Sequence, residues 1–123
     1  LSLYQVQSQF FGIKNWMASP TPELIVFQTS PIETNSFKLP DGSTLILNTN
    51  SKAEFYDDFL TQKNRTVQLE GEGYFDVEKQ EAGKTFQVKT KDISVNVVGT
   101  SFNINSKRKS PIVSLVEGTK LNS

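Results

Sequence analysis

The sequence predicts an all-β domain: many short, mostly antiparallel strands in a two-layer roll or solenoid-like sandwich. Two observations predict it. From Glu23 onward Ile, Val, Phe and Thr recur at alternate positions, the period of a strand with one buried face. Gly or Asn interrupts these runs at intervals of roughly ten residues, the spacing of sandwiches and rolls rather than of βαβ units.

In chain order, the first twenty residues stand apart. Leu3, Val6, Phe10, Ile13 and Met17 follow a three-four spacing that fits one helical stripe. Tyr4, Val6, Ser8 and Phe10 also alternate, which fits a strand. Gly12 and the Gln-rich composition weaken both, with the balance toward helix. Ser19-Pro20-Thr21-Pro22 reads as a linker, because each Pro pushes its predecessor out of the α region. The expected division is a juxtamembrane-like segment and linker over 1–22 and a β domain over 23–123.

Within the β domain, strands are expected near Leu24–Thr29, Ser36–Leu39, Ser43–Asn48, Ala53–Tyr56, Thr66–Leu69, Tyr74–Val77, Phe86–Thr90, Ile93–Val98, Phe102–Asn105 and Ile112–Val116. Leu39-Pro40-Asp41-Gly42-Ser43 is the clearest turn. Pro presets the backbone, and Gly42 accepts a positive φ after it. A hairpin there places Phe37, Leu39, Leu45 and Leu47 on one core face. A second hairpin is expected through Glu70-Gly71-Glu72-Gly73, and a third through Gly99-Thr100-Ser101. An apolar residue followed by Gly recurs at Leu69-Glu70-Gly71, Val98-Gly99 and Val116-Glu117-Gly118, a pattern that also fits corners where a sheet turns on itself.

Composition narrows the chemistry. The 123 residues are enough to bury a core without disulfides or metal, and with no Cys the chain must do so. Thiolate zinc sites and thiol nucleophiles are excluded. No His is present either, which removes the usual general base and the commonest metal ligand. Thirteen basic residues balance thirteen acidic ones, which argues against nucleic-acid binding. No apolar run approaches the roughly 20 residues that cross a bilayer. No signal peptide is visible, and any membrane anchor is expected outside this chain.

Four segments, in this order, resemble the FecR family of bacterial periplasmic signal-transducing domains. They are Leu39-Pro40-Asp41-Gly42-Ser43 with Leu47, Asn48 and Ser51; Val67-Gln68-Leu69-Glu70-Gly71-Glu72-Gly73-Tyr74-Phe75-Asp76-Val77; Val97-Val98-Gly99-Thr100-Ser101-Phe102-Asn103-Ile104; and Leu115-Val116-Glu117-Gly118. Phe86-Gln87-Val88 also fits. The resemblance runs from about Ser36 to Gly118. The family usually has Ala where this chain has Gly73, and more often Leu at Val98.

The resemblance implies a periplasmic domain of an inner-membrane, single-pass anti-sigma factor. Its implied partners are the signalling domain of an outer-membrane TonB-dependent transducer and, through a cytoplasmic segment absent from this chain, an extracytoplasmic-function sigma factor. Contact with a membrane is implied only through a transmembrane helix that this chain lacks. The resemblance implies no enzyme, cofactor, metal or catalytic residue. The alternative reading is a carbohydrate-binding module of a secreted or periplasmic assembly, presenting exposed aromatics.

Other local features are weighed against plainer readings. Gly71-Glu72-Gly73 lacks the Lys-Ser/Thr of a phosphate loop and reads as a turn. The pairs Glu70/Glu72 and Asp76/Glu78 face one way on a strand and could serve a glycosidase, but acidic residues beside turns are common. Asp57-Asp58 lacks the spacing of a calcium loop. Lys107-Arg108-Lys109 reads as a solvated hairpin tip. Asn64-Arg65-Thr66 matches a glycosylation sequon by chance. Trp16 with Phe10 and Phe11 reads as an apolar anchor packed on the domain, with docking a partner or lying just outside a membrane as the alternative. Tyr4, Tyr56 and Tyr74 could offer stacking faces for sugars. The sequence ranks no surface position as a binding contact.

Overall fold

A computed structural model describes residues 21–107 and 112–117, with the side chains of 112 and 115–117 left aside. The expected helical or strand-like stretch at the N-terminus, with Tyr4, Phe10, Phe11 and Trp16, lies outside the described residues. So do Arg108, Lys109 and Gly118.

The described chain is all-β, as expected. Ten strands are β1 Leu24–Gln28, β2 Asn35–Lys38, β3 Thr44–Leu47, β4 Lys52–Tyr56, β5 Asn64–Glu70, β6 Glu72–Asp76, β7 Thr85–Lys89, β8 Ser94–Val97, β9 Ser101–Asn105 and β10 Ile112–Glu117. One 3-10 turn, Phe59–Thr61, lies between β4 and β5. They form two five-stranded sheets, ordered β1-β4-β5-β7-β8 and β10-β9-β6-β3-β2. Strand pairing is antiparallel except for β5 with β7.

The alternation read from the sequence becomes the core. Leu45 and Leu47 of β3, Ala53 and Phe55 of β4, Val67 and Leu69 of β5, Phe75 of β6, Phe86 and Val88 of β7, and Phe102 and Ile104 of β9 are buried in one cluster. Aromatic rings bridge the sheets: Phe27 stacks on Phe37 at 4.3 Å, and Phe75 meets Phe86 edge-on at 6.1 Å. Such pairs add to area burial.

The β2–β3 hairpin forms as expected, with Phe37 opposite Leu45. Its turn closes through Leu39 N–H to the Ser43 carbonyl (2.8 Å) and Gly42 N–H to the Leu39 carbonyl (3.0 Å), with Gly42 at φ +89°.

The other two expected hairpins are corrected. β5 and β6 are not paired; they lie in different sheets. Gly71 alone separates them, at φ +98°, and one residue is too short for a hairpin loop. The chain turns a corner there instead, and Val67 and Leu69 face Phe75 across the core. Likewise β8 and β9 lie in different sheets, joined by Val98-Gly99-Thr100. Gly99 is needed for close approach: a Cβ there would sit 2.8 Å from Lys79 Cβ and 3.0 Å from its Cα. The corner reading of the Gly71 and Gly99 motifs is the one that holds.

Candidate functional site

Two polar constellations stand out from this core. The first is internal. Arg65 on β5 shares inward parity with Val67 and Leu69, and its side chain is completely buried. Its Nη1 pairs with Asp41 Oδ2, and the Asp41 side chain is also fully buried. Nη1 further donates to the Glu78 carbonyl (3.2 Å), and Nε donates to the Thr85 carbonyl (3.2 Å). The guanidinium lies 5.4 Å from the Phe86 ring centroid, a cation–π distance. Nη2 is buried without a hydrogen-bond partner.

Asp41 is held from its other side. Oδ1 accepts from Ser43 N–H (2.9 Å) and Oδ2 from Ser43 Oγ (3.0 Å), while Ser43 Oγ accepts from Glu78 N–H (2.8 Å). The Pro-Asp-Gly-Ser turn, the segment after β6 and β5 are therefore clamped at one end of the sandwich. A buried ion pair of this kind fixes register and is costly to break from one side.

The second constellation lies on the outer face of the β3-β6-β9 sheet. Glu72 Oε1 accepts from Asn48 Nδ2 (2.7 Å), and Oε2 accepts from Asn103 Nδ2 (2.9 Å). The hydrogen bonds from Asn103 and Asn48 hold the Glu72 carboxyl below the usual carboxylate value. Lys107 acts in the same direction, and partial burial opposes it. Tyr74 sits two residues on, paired with Ile46 on one side and Asn103 on the other. Together these residues line a shallow cleft.

The carboxylates singled out for catalysis are not brought together. Glu70 ends β5 and lies 3.9 Å from Lys52, whereas Glu72 begins β6 in the other sheet between its two asparagines. Asp76 accepts from Ser101 Oγ (2.8 Å), and Glu78 is exposed. Asp57 accepts from Glu23 N–H (3.1 Å), and Asp58 accepts from Gln62 Nε2 (3.0 Å). Among the described residues no group of acidic side chains is placed to hold a metal. Lys107 Nζ donates to the Thr49 carbonyl (2.5 Å). Asn64 is tied into β5–β7 through Gln87 and Thr85. Tyr56 is half exposed on the outer face of the other sheet.

Sequence reasoning missed the Arg65–Asp41 clamp. The sequence presents Asp41 as a turn residue and Arg65 as part of a chance sequon. The signal was present: counting back by twos from Leu69 and Val67 places Arg65 on the core face.

FecR protein matches residues 26–119. The chain belongs to the FecR family. Two crystal structures assigned as an anti-sigma factor from Parabacteroides distasonis, at 2.50 and 1.65 Å resolution, share the fold. They match with TM-scores of 0.66 and 0.64, each at 28% identity. The matches cover 77% and 76% of this chain, and 49% and 48% of those proteins. The FecR chain thus spans about half their length. No curated protein matches it.

Proposed function

We propose that this FecR domain is the periplasmic, non-enzymatic sensor of an anti-sigma factor. It receives a signal from an outer-membrane TonB-dependent transducer and relays it to an extracytoplasmic-function sigma factor held by another part of the protein. The observation that carries the reading is the family membership together with structural likeness to an anti-sigma factor. The geometry supports a binding role. Its conspicuous polar residues are consumed in folding devices, Arg65–Asp41 and Glu72–Asn48–Asn103, rather than aimed at a reacting atom. Among the described residues no helix is long and apolar enough to cross a membrane.

A transcriptional reporter of the cognate sigma factor tests the relay. Cells carrying the whole anti-sigma protein with residues 23–123 deleted are expected to lose the response to inducer while the sigma factor stays expressed. An inducer response identical to wild type contradicts the proposal.

A further inference from the structure

We propose that the free edge of β1 is a self-association site, pairing antiparallel with β1 of a second copy about a twofold axis at Val26.

The argument begins with backbone parity. β1 is the edge of its sheet, paired only with β4 among the described residues. Thr29 N–H bonds the Ser51 carbonyl, and Asp57 N–H bonds the Glu23 carbonyl, so the odd residues of β1 spend their backbone groups on β4. In an antiparallel ladder such pairs alternate. The N–H and C=O of Leu24, Val26 and Gln28 therefore point to the open edge.

The same residues carry the outward side chains. Leu24 is 48% exposed and Val26 45%, and beside Leu24 on β4 Tyr56 is 50% exposed. The inward residues Ile25 and Phe27 are only partly buried against the core. β1 reads Leu-Ile-Val-Phe-Gln and has no charge and no Pro. Natural edges are normally guarded by one or the other. The β2 edge, by contrast, is Asn-Ser-Phe-Lys.

A second copy meets each of these demands. Centring antiparallel pairing on Val26 puts Val26 opposite itself and Leu24 opposite Gln28. Every residue with free edge groups then faces another of the same kind, for about six backbone hydrogen bonds. On the outer face the Leu24, Val26 and Tyr56 patches join into one strip. On the inner face Ile25 of each copy lies beside Phe27 of the other, covering what is now part exposed. No like charges oppose one another, since Glu23 falls opposite Thr29. The contact is isologous, so it closes as a dimer. One short strand per copy makes a small interface, and association is expected with a Kd on the order of 10–1000 µM.

Sedimentation equilibrium of the whole chain, from about 10 µM to about 1 mM, spans that range. The weight-average mass is expected to rise from monomer toward dimer. Val26→Lys and Val26→Glu are each expected to stay monomeric, since each opposes like charges at the axis. Their thermal midpoints should match wild type, because Val26 is exposed. An equimolar mixture of the two is expected to restore association. A wild-type chain that stays monomeric, a dimer that survives Val26→Lys, or a mixture that fails to associate would each overturn the proposal.

Discussion

Removing both members of the buried Arg65–Asp41 pair should cost clearly less than the sum of removing each alone. Arg65→Met keeps an unbranched stem over Phe86 and deletes the guanidinium. It leaves Asp41, whose side chain has no solvent exposure, with only Ser43 as partner. Asp41→Asn keeps an acceptor for Ser43 N–H but leaves a buried cation whose Nη2 already lacks a partner. An uncompensated buried charge costs about 3–5 kcal/mol. Each single variant should therefore lose about that much, a fall in Tm on the order of 10–20 °C for a domain near this size. The double variant leaves no buried charge. Its loss should be smaller than the sum by about 2 kcal/mol or more, because the sites are in contact. Urea unfolding of the four proteins, followed by far-UV circular dichroism, gives the cycle directly. Additivity within about 0.5 kcal/mol would refute the idea that the two charges depend on each other.

Other outcomes follow from single positions. Gly71→Ala combines φ +98° with a Cβ 2.3 Å from Ser51 Oγ and 2.9 Å from Ser51 Cα, whereas Gly83→Ala has φ +88° and open space. Gly83→Ala should cost about 1–2 kcal/mol from conformation alone, and Gly71→Ala clearly more; equal losses in denaturant melts would discount the steric account. Gly73→Ala adds a Cβ 3.1–3.4 Å from the ends of Leu45, Phe75 and Leu69, which can shift. It should change stability by less than about 1.5 kcal/mol, as a small volume change in an adaptable site does; a larger loss would show those side chains cannot move. Glu72 has a folded-state pKa below its unfolded value, so the unfolded chain binds more protons near that range. Its contribution is present above the ordinary carboxylate range and is lost as pH falls through the lower folded value. Wild-type stability should fall more steeply there than that of Glu72→Gln, and parallel pH profiles would remove Glu72 as the cause.

How much of this was legible in the sequence depends on whether the deciding contact is local. The turn at Pro40-Asp41-Gly42 was readable because Pro and Gly fix its backbone within a few residues. The alternation of Val67, Leu69, Phe75 and Val88 marked the core faces correctly. The partners of those strands were not readable. A hairpin and a sheet-switching corner carry the same signal, an apolar run, a Gly and another run. At Gly71 the outcome is set by β5 pairing in parallel with β7, whose Phe86 lies opposite Arg65. At Gly99 it is set by the backbone of Lys79 passing close by. The site was legible only in part for the same reason. Glu72 meets Asn48 and Asn103 from strands distant in sequence, and Asp41 meets an arginine on another sheet. Leu24 and Val26 lie on the outward face of β1, and the alternation alone does not tell which face of that strand is turned to the core.

The central claim is that this FecR domain receives its signal by binding another protein. Isothermal titration of the domain against the periplasmic signalling domain of the proposed TonB-dependent transducer tests this most directly. Saturable binding with a defined stoichiometry is the predicted result. Absence of heat change and of competition, repeated with a chain extended beyond Ser123, would contradict the account and favour ligand or glycan sensing instead.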